Sequence, residues 1–399
     1  MSKTFSLKNK SLKLNTRADI EPWLKDVDPT TIEEVHLQGN TIGVEASQAL
    51  AEWLSKATNI RIANFADIFT GRLISEIPQA LEAICNALVD KTSLVEIDLS
   101  DNAFGGRSVD PMVPLLSKNR HFQILKLNNN GLGPAGGAVI ANALLESAKL
   151  SKAAGLKSNL RTVICGRNRL ENGSASAWAD AFAEHEGLVE VRMPQNGIRM
   201  EGILELSRGL AKNPNLGYID LQDNAFSTEG QLDAIEAWTK AMVSWPELHT
   251  LNLSDCILST EGEVPTLLTA IIGGSNPKLK NLLLQNNNLE TRTFEALAGA
   301  LSTTLKNVMR MELQWNDVED EDEFIEEIGL TLKQRGGRLI ATDEDEEEEE
   351  AEKAREHEAE EEPIIAAAEK EEAKEPTKKE DAADDLDQLA AKLSKVEIK

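Results

Sequence analysis

The chain has 399 residues and a net charge of −26, and residues 343–399 hold 24 of its acidic side chains against 9 basic ones. The remaining residues are also acidic, so both parts repel a phosphate backbone; nucleic acid is excluded as the expected partner and a basic protein surface is favoured. Three scattered cysteines make no disulfide framework, the polar N-terminus holds no signal segment, and no apolar run reaches membrane-spanning length, so an intracellular chain without a membrane partner is expected.

In chain order, SLKLN at 11–15 reads as a strand of an N-terminal cap. From Val35 onward one unit recurs: L-x-x-L-x-L-x-x-N-x-L, a Gly-containing turn, then a helix. Its copies include VHLQGNTIG at 35, LVEIDLSDNAFG at 94, FQILKLNNNGLG at 122, LRTVICGRNRLENG at 160, LGYIDLQDNAFSTEG at 216 and LKNLLLQNNNLETR at 279, with a degraded copy at Ile60. The asparagine slot falls at 40, 68, 102, 130, 168, 196, 224, 256, 287 and 316, with Ile68 and Cys256 as its exceptions. The L-x-L step alternates with period two, as in a strand with inward leucines. An asparagine after it can bond backbone groups in the turn. Between strands, segments such as EASQALAEWLSKA, PQALEAICNALVD, GAVIANALLESAK and GILELSRGLAKN repeat apolar residues three and four apart, as amphipathic helices do.

Such units predict an α/β leucine-rich-repeat solenoid, a ribonuclease-inhibitor-like horseshoe with parallel strands inside and helices outside, over residues 1–342. Insertions in the longer intervals, before 102 and 168, are expected in loops. EFIEEIGLTLKQRGGRL at 323–339 reads as a closing helix. Beyond it, residues 343–399 are too charged to bury a core and are expected to be a disordered acidic tail; DDLDQLAAKLSK could form a short amphipathic helix on a partner.

Most chemical motifs fail. Gly131-Leu132-Gly133-Pro134-Ala135-Gly136 has the G-x-G-x-x-G form between strand and helix, but its glycines fall in the repeat's own turn and no acidic residue follows at the spacing a ribose needs. The five histidines lack metal-ligand spacing, and there is no phosphate loop or nucleophile elbow. No metal or cofactor site is therefore expected. Cys165 and Cys256 read as buried repeat positions, and Trp53, Trp178 and Trp238 as core. The informative residues flank the asparagine slot, where strand becomes loop: Asp101, Asn129, Arg167 with Arg169, Gln195, Asp223, Asp255, Asn286 and Trp315. Loops along one edge of a solenoid commonly form its binding face.

FADIFTGRLISEIP at 65–78, with LSDNAFG, NNNGLGP, ICGRNRLENGS, QNGIRMEGI and IDLQDNAF, closely resembles the RanGAP family, activators of the small GTPase Ran. FTGR followed by EIP, and CGRNRLENGS, are strings that repeat stereochemistry does not require. Vertebrate members carry an extra C-terminal domain and plant members an N-terminal targeting domain; the chain resembles the fungal form. The resemblance implies a monomeric cytoplasmic or perinuclear protein that supports nucleocytoplasmic transport. Its partner would be Ran in the GTP form, with a Ran-binding protein as a further candidate. Ran would supply nucleotide, magnesium and the catalytic glutamine, so this chain would have no active site of its own and would act without an arginine finger. Arg72, Asn129 and Arg169 match the family's activating residues, and Asp101 and Asp223 fall on matched ridge positions. Asn129 would hold the glutamine or a switch side chain, while Arg72 would pair with acidic neighbours, Asp67 and Asp101 among them, or with Ran. Where family members often carry a basic residue two positions after FTGR, Ile74 stands here.

An acidic repeat scaffold or chaperone-like binder of basic proteins is the alternative; its shorter, fewer repeats fit this chain less well. A ribonuclease-inhibitor-like blocker would be cysteine-rich.

Overall fold

A computed structural model describes residues 3–106, 108–228, 231–259, 262–318 and 322–347. The chain divides into two units, Met1–Thr342 and Asp343–Lys399. In the first, twelve short strands form one parallel sheet: β1 (Thr4–Ser6), β3 (Glu34–His36), β5 (Ile62–Asn64), β6 (Glu96–Asp98), β7 (Ile124–Lys126), β8 (Thr162–Ile164), β9 (Glu190–Arg192), β10 (Tyr218–Asp220), β11 (Thr250–Asn252), β12 (Asn281–Leu283), β13 (Arg310–Glu312) and β14 (Arg338–Ile340). They pair in that order. Two further strands, β2 (Lys13–Leu14) and β4 (Thr41–Ile42), pair separately.

Each repeat turns its middle strand residue into the core, as Val35, Ile97, Leu125, Val191 and Leu282 show by complete burial. Between strands run α1 (Arg17–Leu24), α2 (Val44–Lys56), α3 (Ile77–Leu88), α4 (Val113–Lys118), α5 (Gly133–Ala153), α6 (Ala175–His185), α7 (Met200–Leu210), α8 (Asp233–Ala241), α9 (Thr266–Ile272), α10 (Thr291–Leu301) and α11 (Glu323–Gln334). Each buries the face that meets its own strand and the neighbouring helices. Helix spacing is tightest where side chains vanish: a Cβ at Gly209 of α7 would strike the backbone of Ala179 in α6.

The asparagine slots join repeat to repeat. Asn168 Nδ2 donates to the carbonyls of Leu127 (2.8 Å) and Gly166 (2.9 Å), while its Oδ1 accepts the N–H of Asn130 (2.9 Å). Asn130 Oδ1 in turn accepts from Asn102 N–H, and Asn102 Oδ1 from Ile68 N–H. One buried amide thus satisfies polar groups of two consecutive turns that no water reaches. Cys256 copies the donor half of this, its Sγ lying 3.3 Å from the carbonyls of Leu221 and Ser254.

Several expectations need correction. The segment at 11–15 does contribute a strand, β2, but the main sheet starts with Thr4–Ser6. The closing helix ends at Gln334, since Gly336 takes φ +76° and Arg338–Ile340 adds a last strand. The insertion before 102 does lie in a loop, residues 69–76. That before 168 instead extends α5 to 21 residues, because ANALLESAKLSKA consists largely of strong helix formers. The short helices α1, α4 and α9 carried too few turns to announce themselves by period. Of the tail, residues 343–347 take helical backbone; its expected disorder and the amphipathic segment at its end lie outside the described residues.

Candidate functional site

Where each strand becomes loop, one residue per repeat adopts left-handed backbone: Gly39, Asp67, Asp101, Asn129, Arg167, Gln195, Asp223, Asp255, Asn286 and Trp315. Their φ values run from +45° at Asp67 to +75° at Gly39. The cause is an inter-repeat hydrogen-bond ladder that continues past the strands. Asp101 N–H donates to the Asn128 carbonyl (2.8 Å), Asn129 N–H to Gly166 (2.9 Å), Arg167 N–H to Pro194 (2.9 Å), and Asp223 N–H to Ser254 (2.9 Å). The turn must bend left-handed to keep these bonds, and it throws every such side chain outward. The eight sequence-predicted ridge positions other than Arg169 therefore form one row, all exposed except Asp255, which is half-buried. Arg169 joins a second left-handed row two residues on, with Ala103, Gly131, Gly197, Ile257 and Asn288.

Asparagine, aspartate and glycine tolerate this conformation, so Asp101, Asn129 and Asp223 are explained by the turn alone. Arg167, Gln195 and Trp315 are not, and a β-branched residue at φ +53°, as at Ile257, is a true outlier. Glu171 is another: at φ 49°, ψ −166° it occupies the position that Gly105 and Gly133 fill in the preceding repeats. Sequence reasoning missed Ile257 and Glu171; the signal available was that each replaces a small or Asx residue in register. Both line a cleft of about 530 Å³ together with Asn172, Arg199, Asp223 and Asp255.

Side-chain bonds tie ridge positions in adjacent repeats. Asn129 Nδ2 donates to Asp101 Oδ1 at 3.0 Å, and Asn286 Nδ2 to Asp255 Oδ1 at 2.5 Å. Arg72 lies half-buried behind the first turns, and here the expectation of an acidic partner fails. Its Nε donates to Thr41 Oγ1 (2.8 Å) and its Nη2 to the carbonyls of Thr41 (2.9 Å) and Leu14 (3.4 Å). Asp67 instead accepts from Thr70 Oγ1 at 2.5 Å. A guanidinium that donates to the Thr41 hydroxyl and carbonyl and to the Leu14 carbonyl, which also accepts the Gly43 N–H, is held as a structural tie.

The strand side chains facing away from the helices contrast with the ridge, because their charges pair among themselves: Lys126 with Glu96 (2.6 Å), Arg192 with Glu190 (2.5 Å), Arg310 with Glu312 (2.6 Å). The cysteine thiols are fully buried, and desolvation pushes Cys85 and Cys165 up to about 12, so none is a nucleophile. Among the described residues no group of His, Cys, Asp and Glu could hold a metal ion, and no helix is long and apolar enough to cross a membrane. The G-x-G-x-x-G segment is packing: a Cβ at Gly137, just beyond it, would fall 2.5 Å from Leu170 Cδ2, and Gly133 takes φ +63° at the start of α5.

A parallel sheet of three-residue strands, stitched by buried asparagines and displaying one outward turn residue per unit, defines a leucine-rich-repeat protein; a family profile described as "Leucine Rich repeat" matches residues 118–141. Among curated proteins the chain is 37% identical to Ran GTPase-activating protein 1 of Saccharomyces cerevisiae over 334 residues, covering 81% of this chain and 80% of that protein. It is 45% identical over 197 residues to Ran GTPase-activating protein 1 of Xenopus laevis, and 39% over 215 residues to the Ran GTPase-activating protein of Drosophila melanogaster. These matches cover 48% and 53% of this chain but 34% and 36% of the animal proteins. The chain belongs to the Ran GTPase-activating protein family.

Proposed function

We propose that this chain, as a cytoplasmic monomer, binds Ran in its GTP form along the left-handed ridge and accelerates hydrolysis by positioning, contributing no active site, cofactor or arginine finger of its own. A Ran-binding protein could share the complex without using the ridge. The observation that carries this reading is the Asp101–Asn129 pair. Its carboxylate takes the Nδ2 end of the Asn129 amide, which leaves Oδ1 as the end offered to a partner. An amide oxygen at that point accepts an N–H from the side chain of the GTPase's glutamine. The glutamine's own oxygen is then left to orient the attacking water. Fixing that geometry lowers the barrier through pre-organisation, with no charge supplied to the phosphate.

Arg72 supports the opposite of a finger role. To reach a γ-phosphate it would have to abandon its bonds to Thr41 and Leu14. It is better suited to holding the turn beside the ridge. Arg167 and Arg169, exposed in left-handed turns, together with Gln195, Asp223, Asp255 and Trp315, supply the remaining contacts to the partner. Single-turnover hydrolysis of GTP on Ran, with and without catalytic amounts of this chain, tests the reading. Acceleration is expected, with no turnover of free GTP; no acceleration at micromolar protein would overturn it.

A further inference from the structure

The connection from the second repeat's turn to α3 runs from Phe69 to Glu76 and is firmly anchored. Phe69 is buried against Phe104, with ring centroids 6.2 Å apart. Arg72 N–H donates to the Phe69 carbonyl (3.0 Å), and its guanidinium ties the turn to Thr41 and Leu14. Glu76 closes the far end: its Oε2 accepts from Leu73 N–H (3.1 Å) and its own N–H donates back to the Leu73 carbonyl (2.9 Å). On this rigid frame Leu73 is 67% exposed and Ile74 61% exposed. Two adjacent large aliphatics held in water on an ordered turn serve nothing within the repeat core. Because the turn is already fixed, covering them would cost little ordering entropy.

We infer that Leu73 and Ile74 form an apolar docking prong that seats the GTPase beside the surface meeting Asn129; this rests on the function proposed above. The occupant follows from position. The turn begins one residue after Ile68, at the same edge as Asp67, and β5 is separated from β7, which precedes Asn129, only by β6. At a strand spacing of about 4.8 Å, a partner lying over Asp101 and Asn129 also lies within roughly 10 Å of this edge. The contact is the same in ground and transition states, so it acts on capture and leaves the chemical step alone.

The test compares the full chain with the double variant Leu73→Ser/Ile74→Ser, using multiple-turnover hydrolysis with Ran·GTP as substrate. The KM is expected to rise about tenfold or more, as for a small hot spot, with kcat at saturation unchanged and thermal unfolding unaltered. Ile74→Lys alone is expected to make the KM depend more steeply on salt, because a charge then replaces an apolar contact. An unchanged KM in the double variant overturns the inference, as does a fall in kcat at saturating Ran·GTP. So does sedimentation showing that the wild type self-associates and the double variant does not, which would assign the prong to a second copy of this chain. If the wild type itself fails to activate, the proposed function falls; if it activates and the variants match it, only the prong falls.

Discussion

Replacing Asp101 by alanine removes the acceptor that orients the Asn129 amide, and the size of the effect can be bounded from the structure. The bond is 3.0 Å long, charge-assisted and exposed, so its net worth is about 0.5–1.5 kcal/mol. That is the most by which it can bias the amide toward the productive orientation, equivalent to roughly two- to tenfold in population. Asp101→Ala is therefore expected to lower the single-turnover rate at saturating activator by about two- to tenfold. Asn129→Ala, which removes the positioning group itself, should cost about 10²–10³, as for the loss of a pre-organised hydrogen-bonding group. Asp101→Asn keeps a side-chain oxygen in place and should recover most of the rate. The double variant Asp101→Ala/Asn129→Ala should be no slower than Asn129→Ala alone, since the carboxylate acts only through the amide. Alanine at φ +59° also strains the turn, so each variant's melting temperature belongs beside its rate. Multiplicative losses in the double variant would refute this chain of reasoning. A rise in KM with kcat intact in both Asp101 variants would refute it too, marking the carboxylate as a direct contact for a basic partner.

Other expectations concern stability. Asn168→Ala leaves the buried N–H of Asn130 without its acceptor and takes one donor each from the carbonyls of Leu127 and Gly166, which keep those of Asn130 Nδ2 and Asn129 N–H, so urea unfolding should show a loss of about 2–4 kcal/mol; a loss below about 1 would mean that the asparagine ladder is not what couples the repeats. His185 is buried with its Nδ1 2.6 Å from Ser158 Oγ, and desolvation lowers its pKa to about 4. The unfolded chain then binds a proton there at higher pH than the folded one. Stability is lost as pH falls from about 6.5 to 4, and His185→Asn should flatten that part of the acid-unfolding profile; an unchanged slope would remove the histidine from the account. Ile257→Asn, matching Asn288 in the next repeat, is expected to raise stability by about 1 kcal/mol through relief of left-handed strain, while weakening partner binding; destabilisation would show that the isoleucine is held by contacts outweighing the strain.

The repeat frame was legible because its causes are local and periodic. Strand alternation, the asparagine slot and helix period each recur in the sequence, and each corresponds to a bond or a buried face. What escaped was set by competition. The α5 extension needed a comparison of helix propensity with loop formation over one segment, and the α11 boundary turned on the backbone freedom of Gly336. Arg72 showed the limit most clearly. Its acidic neighbours in sequence suggested ion pairing, yet the edge of the small β2–β4 sheet presents it with carbonyls from Leu14 and Thr41, positions 58 and 31 residues away. No local pattern encodes that meeting.

The ridge combines both situations in one row. Its placement was readable, since every member precedes an asparagine slot, but its left-handed backbone was not, since no residue type dictates it at Arg167, Gln195 or Trp315. The inter-repeat bonds from the N–H groups of Arg167 and Gln195 impose the conformation whatever side chain is present. Identity at each position is thereby released from the needs of the turn. Asparagine, aspartate or glycine would satisfy the turn with less strain at every one of them. An arginine, a glutamine and a 55% exposed tryptophan in the same row are consequently residues that the turn does not call for, which is why we assign them to the proposed partner surface. Asn129 and its look-alike Asn286 are alike in the turn: both bond a carboxylate one repeat back, and the left-handed conformation explains both equally. Only a rate measurement tells a positioning amide from a turn-stabilising one, and Asn286→Ala, expected to leave the rate at saturation unchanged, is the control that makes the Asn129 result interpretable.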